Sequence, residues 1–254
     1  MKILAVESSG TPASVAFLED GKIKAEFTVT DKLTHSVTLM PLIESMTKIL
    51  GIDPSGLDAV AVSAGPGSFT GLRIGIATVK GLTLALNKPV VKVSSLEGLS
   101  RNICAPGYFV CPLMDARRGQ VYAALFRNGK QLLSDSALSV DEYLDIVEEK
   151  AGKTGRCIFL GDGAPVHREV ILGRLGKRAV FAAPGSSLQK ASSVAVLAEE
   201  KLAEGNTVSS DDLVPDYLRV PLAEKLEKSG ELGDAGEKSL KKIAKGAVKH
   251  GGSH

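Results

Sequence analysis

Residues 65–86 read GPGSFTGLRIGIATVKGLTLAL, and the run Asp58 to Ala64 before them is β-branched and alanine-rich. The order strand, tight turn, helix is the working unit of an α/β sheet. Gly65 and Gly67 admit backbone angles that a side chain forbids, and Pro66 stiffens the turn between them. Thr70 opens an apolar helical pattern, and either Ser68 or Thr70 is placed to cap it by accepting a bond from a free N–H. Gly71, Gly75, Thr78, Leu82 and Ala85 recur at helical steps and share one small, flat face. A glycine inside a helix costs about 1 kcal/mol relative to alanine, so such a face implies another backbone close by. That backbone is either the chain's own sheet or a second protein subunit. An anion at the helix N-terminus is a third reading. It has no GxxxxGK[ST] behind it, and Arg73 lies inside the helix rather than at a P-loop lysine position.

Composition narrows the classes. The 254 residues are 44% apolar, enough for one large or two small cores. Lys plus Arg number 31 against 29 acids, which gives no electrostatic case for a nucleic-acid binder. Aromatics are sparse and Trp is absent, which argues against a base-stacking platform. Cys104, Cys111 and Cys157 are an odd set without CxxC spacing, as in a reduced, cytoplasmic chain. Glu7 stops the first apolar run, so it does not read as a signal peptide, and no apolar run reads as a membrane span.

In chain order, Lys2 to Glu7, Ser14 to Leu18 and Ile23 to Val29 read as strands, the last two joined by an Asp20-Gly21 turn. Thr34 to Leu50 is helical, with Pro41 expected near its start. Strand 58–64, helix 70–86, strand 90–93 and a short helix near 96–101 follow. After Pro106-Gly107 the order repeats: strands 108–114 and 120–126, an Asn128-Gly129 turn leading to a third strand, helix 141–150, strand 157–160, helix 166–175, strand 179–182 and helix 188–205. Two copies of one α/β unit in series are the expected architecture, with lobes at 1–105 and 106–222. The duplication resembles the actin-like, sugar-kinase-like fold. From 223 onward the chain is rich in Lys, Glu, Gly and Ser and reads as a flexible basic tail; residues 238–254 could serve as an arm near transfer RNA.

GPGSFTGLRIG followed by AxxKGL resembles the signature of the TsaB (YeaZ) family. Val93-Ser94-Ser95-Leu96-Glu97, Asp115-Ala116-Arg117-Arg118 with Val121-Tyr122, and Pro215-Asp216-Tyr217-Leu218-Arg219 extend the likeness over about residues 1–222. The resemblance implies a non-catalytic partner of a related catalytic subunit, TsaD. That pair transfers threonylcarbamoyl from its adenylate to N6 of adenosine 37 in tRNAs reading codons that begin with A. It also implies a third subunit, the ATPase TsaE, a homodimer when the chain is alone, and tRNA reached only indirectly. Laid on the catalytic relative's His-x-x-x-His metal pair, this chain has Ser95 and Leu99, so neither metal nor other cofactor is expected and no catalytic residue is assigned.

The residues themselves agree. Four histidines are scattered, with only His250 and His254 at i, i+4, and G-x-S-x-G is absent. Phosphate-handling members of this fold grip the nucleotide with glycine-rich hairpins, whereas the second hairpin here carries Arg117 and Arg118 beside Asp115. With Arg73 these are expected to contact a partner or an anion. The expected interface uses the helices 34–50 and 70–86, with Gly71, Gly75, Thr78 and Leu82 as its thin side and Leu39, Ile43, Met46, Leu72 and Val79 as its filling. Gly65, Pro66, Gly67 and Thr70 are the structural turn. The rival reading is a free-standing small-molecule or sugar kinase, and a weaker third is a metallopeptidase.

Overall fold

The computed structural model describes residues 1–31 and 34–219, of which Met1–Leu218 form one compact unit. The tail expected at 223–254, with its basic arm, His250 and His254, lies outside the described residues. The chain opens with β1 (Lys2–Glu7), β2 (Ala13–Glu19) and β3 (Lys22–Val29). Then come α1 (His35–Leu50), β4 (Ala59–Gly65), α2 (Phe69–Leu86), β5 (Val90–Ser94) and α3 (Ser95–Ser100). β1 lies at the centre of the first sheet, antiparallel to β2 and parallel to β4, in the order β3-β2-β1-β4-β5. Ala5 stands opposite Ala16 on one side and Ala61 on the other, so small side chains line one face of the sheet and let a layer close tightly on it. β4 is buried throughout because helices cover both sides of the sheet.

The second half repeats the order: β6 (Phe109–Asp115), β7 (Gln120–Arg127), β8 (Lys130–Ser139), α4 (Val140–Ala151) and β9 (Cys157–Leu160). It ends with α5 (Gly163–Val166), α6 (Arg168–Leu175), β10 (Ala179–Phe181) and α7 (Ala191–Ala203). Its sheet runs β10-β9-β6-β7-β8, with the same parallel and antiparallel senses as the first. Two such sheets in series are the duplicated actin-like, sugar-kinase-like α/β fold. A capping box at Ser139 and Glu142 starts α4.

Several details differ from the sequence expectation. α1 begins at His35, so Pro41 lies inside it, with the ring exposed to solvent. The helix expected over 166–175 breaks at His167 into α5 and α6. α7 belongs to the second copy by sequence, yet it packs on the first sheet. Ala191, Val194, Ala195 and Ala198 close over Ile3, Ala5, Leu18, Ala61 and Val91. Val208 then pairs with Val90, and Leu213 enters the first lobe's core beside Val60 and Val90. A division at 105/106 therefore assigns to the second lobe a helix that packs on the first. Periodicity marks α7 as an amphipathic helix; it carries no information about which sheet the helix covers.

The two lobes share a seam. Leu96 and Leu99 of α3 pack with Val110, Met114, Phe126 and Leu160 of the second lobe. Ser94 donates its hydroxyl to Asp135 of β8. Asn102 donates to the carbonyls of Ser186 (3.2 Å) and Leu188 (2.7 Å) and accepts from Ser193.

Candidate functional site

Ser68 is the N-cap of α2, accepting from the Gly71 N–H at 3.3 Å. Thr70 is exposed in the first turn and makes no cap. Beneath the start of α2 runs the β1–β2 turn. Glu7, 1% exposed, accepts from the Ser9 N–H and the Ser9 hydroxyl, each at 2.6 Å, and from the Ser63 hydroxyl of β4. This clamp presses the turn against the helix. The Ser8 hydroxyl donates to the Gly71 carbonyl at 3.0 Å, and the Ser9 carbonyl accepts from the Ser68 N–H at 2.7 Å. A Cβ at Gly67 or Gly71 would collide with the carbonyl oxygen of Ser9 or Ser8, and one at Gly75 with the Ser8 hydroxyl. Gly65 has φ +134°, and a Cβ there would strike the Asp216 carbonyl, whose residue donates its N–H to Ala64. The close backbone that these glycines imply is the chain's own.

The residues assigned from sequence to a partner therefore face inward. Leu39, Ile43, Met46, Leu72 and Val79 are 0–5% exposed core, and Gly71 and Gly75 are sealed by the β1–β2 turn. Leu82 is half-buried against the same core, and Thr78 is half-buried beside it. Helical spacing shows which residues share a face but not which way that face looks, and the sheet claimed the thin side.

Burial pushes the Glu7 carboxyl above its ordinary value near 4.5, against the opposing pull of the Ser63 and Ser9 donors. A carboxyl raised by folding is favoured in its neutral form. Its contribution is complete below the unfolded value and is lost as pH rises through the folded one. Urea midpoints of wild type and Glu7→Gln between pH 4 and 8 check this: the wild type is expected to lose stability relative to the variant as pH rises. Parallel curves would assign the clamp no titration.

What α2 leaves outside is its other side. Among the described helices it alone has the length and apolar composition of a membrane span, against the sequence expectation, yet only a third of it is buried. Its outward stripe is Arg73, Ala77, Gly81 and Leu84, with Leu84 72% exposed. Gly81 differs from the other helical glycines of α2, because a Cβ there would meet nothing within 4 Å. The neighbouring helix α1 exposes Val37 (60%), Met40 (47%) and Pro41. The sequence reading missed Gly81, Leu84, Val37 and Met40. The signal was present: α2 carries more apolar positions than one buried face requires. Arg73 lies over the Phe69 ring at 4.0 Å and donates Nε–H to the Tyr217 hydroxyl at 3.1 Å, and Phe69 and Tyr217 stack at 5.1 Å.

The cleft between the lobes, about 400 Å³, is bounded by Ser9, Gly67 and Phe69 on one wall and by Asp115, Arg117 and Asp162 on the other. Arg117 pairs with Asp115 at 3.3 Å. Arg117 and Arg118 both adopt positive φ, 67° and 55°, in the turn where a phosphate-gripping main chain would need glycine. Burial and the neighbouring Asp115 charge push the Asp162 carboxyl up. The first hairpin's Ser9 N–H is spent on Glu7, and the Ser68 N–H on Ser9. Among the described residues no group of three or more His, Cys, Asp or Glu could hold a metal ion. Ser95 is buried and Leu99 lies in the inter-lobe seam. The cleft thus offers a carboxylate pair, with two of its first-lobe N–H donors already bonded within the protein.

Residues 26–226 match the family model described as TsaD, tRNA N6-adenosine threonylcarbamoyltransferase. The tRNA threonylcarbamoyladenosine biosynthesis protein TsaB of Bacillus subtilis (strain 168) is 34% identical over 88% of this chain and 96% of its own length. The protein of the same name from Escherichia coli (strain K12) is 29% identical over 86% and 95%. The solved structure of YeaZ from Pseudomonas aeruginosa superposes with a TM-score of 0.68 at 27% identity, covering 85% of this chain and 99% of that one.

Proposed function

The chain belongs to the TsaB family of tRNA threonylcarbamoyladenosine biosynthesis proteins, and from that premise we propose that it is the supporting, non-catalytic subunit of a threonylcarbamoyl transferase complex. It binds a TsaD-type catalytic subunit, which modifies N6 of adenosine 37, and a TsaE-type ATPase joins them. The complex is cytoplasmic, and tRNA is engaged through the catalytic subunit. Without its partner the chain pairs with a second copy.

The observation that carries this reading is the outer face of α1 and α2. Val37 and Met40 of α1 and Leu84 of α2 are exposed apolar side chains, and a Cβ at Gly81 would meet nothing within 4 Å. An apolar helix pair with a flat glycine position suits a matching pair from another subunit, packed as four helices. The cleft, with the Ser9 and Ser68 N–H groups already spent and Arg117 at its rim, supports a role other than nucleotide chemistry.

Gel filtration of the purified chain with its own organism's TsaD-type subunit tests the reading. Wild type is expected to co-elute, and Leu84→Asp is expected to elute alone with an unchanged melting temperature. Co-elution of Leu84→Asp, or micromolar binding of Mg-ATP with turnover by the chain on its own, would overturn it in favour of a kinase of this fold.

A further inference from the structure

We infer that Arg73 is the specificity-determining residue of the docking face and that it requires a carboxylate on the partner, an inference that rests on the docking reading above. Three observations carry it. The guanidinium is fixed in advance, stacked on Phe69 at 4.0 Å and tied through Nε to the Tyr217 hydroxyl at 3.1 Å. Tyr217 is itself held, because its neighbour Asp216 pairs with Lys92 at 2.6 Å and donates its N–H to Ala64. Arg73 is exposed, its terminal nitrogens make no hydrogen bond to a described residue, and no acidic side chain among the described residues lies within ion-pair distance of it. A fork held rigid, exposed and without an acid matches a bidentate carboxylate.

Arg73 also shares the outward stripe of α2 with Ala77, Gly81 and Leu84. Whatever packs on that stripe desolvates the guanidinium, and an unpaired charge at a closed interface is costly. A second copy of this chain is a poor source of the acid. α2 contains no acidic residue, and α1 contains only Glu44, already bound to Lys48 at 2.8 Å. The same arginine therefore rewards an acidic partner and penalises pairing with itself, which is discrimination by repulsion as well as attraction.

The test measures affinity for the TsaD-type subunit at several salt concentrations for wild type, Arg73→Lys, Arg73→Gln and Arg73→Glu, with Gly81→Arg as the reference for the face. Arg73→Gln is expected to weaken binding by about thirtyfold and to flatten its salt dependence. Arg73→Lys is expected to restore only part of the loss, because it keeps the charge but not the fork. Changing the partner's acidic residues to lysine one at a time should yield one variant that rescues Arg73→Glu. Self-association of Arg73→Gln should be at least as strong as that of wild type. If Arg73→Glu binds as wild type while Gly81→Arg does not, the docking face stands and the role of Arg73 is wrong. If neither variant changes binding, both are wrong.

Discussion

Gly71→Ala is expected to destabilise the isolated protein by about 3 kcal/mol, toward the upper end of what overpacking costs. For a chain of this size that lowers the melting temperature by roughly 6–12 °C. The added methyl would sit inside the contact distance of the Ser8 carbonyl oxygen, which is backbone and cannot rotate away. Ser8 is pinned on both sides, by its own bond to the Gly71 carbonyl and by the Glu7 clamp on Ser9. Relief requires α2 to lift from β1, which would open the core around Leu72, Ile76 and Val79. Thermal melts of Gly71→Ala and Gly75→Ala separate two cases. The Gly75 methyl meets a hydroxyl, which can turn, so its cost should be the smaller. A Gly71→Ala melt matching wild type would mean that the turn gives way freely. Gly75→Arg, at a position the sequence assigned to the interface, would be uninformative about binding because it is expected to unfold the lobe.

Gly81→Arg is expected to do the opposite: the monomer folds and the partner is lost. Open space surrounds the added side chain, and replacing a mid-helix glycine by arginine gains about 0.5–1 kcal/mol of helix propensity. The melting temperature should therefore hold or rise. Helices that cross closely approach to about 8–10 Å between axes, and a long cationic side chain at the crossing blocks that approach. The affinity for the catalytic subunit should fall on the order of a hundredfold or more. Titration calorimetry with circular dichroism on the same samples reads both quantities. Loss of fold would refute the assignment of Gly81 to the outside, and retained affinity would move the interface elsewhere.

Much of the architecture was legible in the residues. The Asp20-Gly21 and Asn128-Gly129 turns, the alternation of strand and helix patterns and the repeat of their order led to two copies of one unit, and both sheets have the same topology. The site was less legible. Gly71 announced a close backbone correctly, but the backbone was that of Ser8, whose hydroxyl also seals Gly75. The Arg73–Phe69–Tyr217 cluster joins residues far apart in sequence, and no local pattern predicts it.

By itself, then, the sequence determined which elements form, their order and the family they belong to, since those depend on local propensity, periodicity and residue identity. The tertiary structure alone decided which face of α2 the sheet takes, where α7 packs and which glycine remains open. Those outcomes depend on how distant segments share a limited buried surface. A helix with two apolar sides has no internal preference between them; the turn held by Glu7 made the choice.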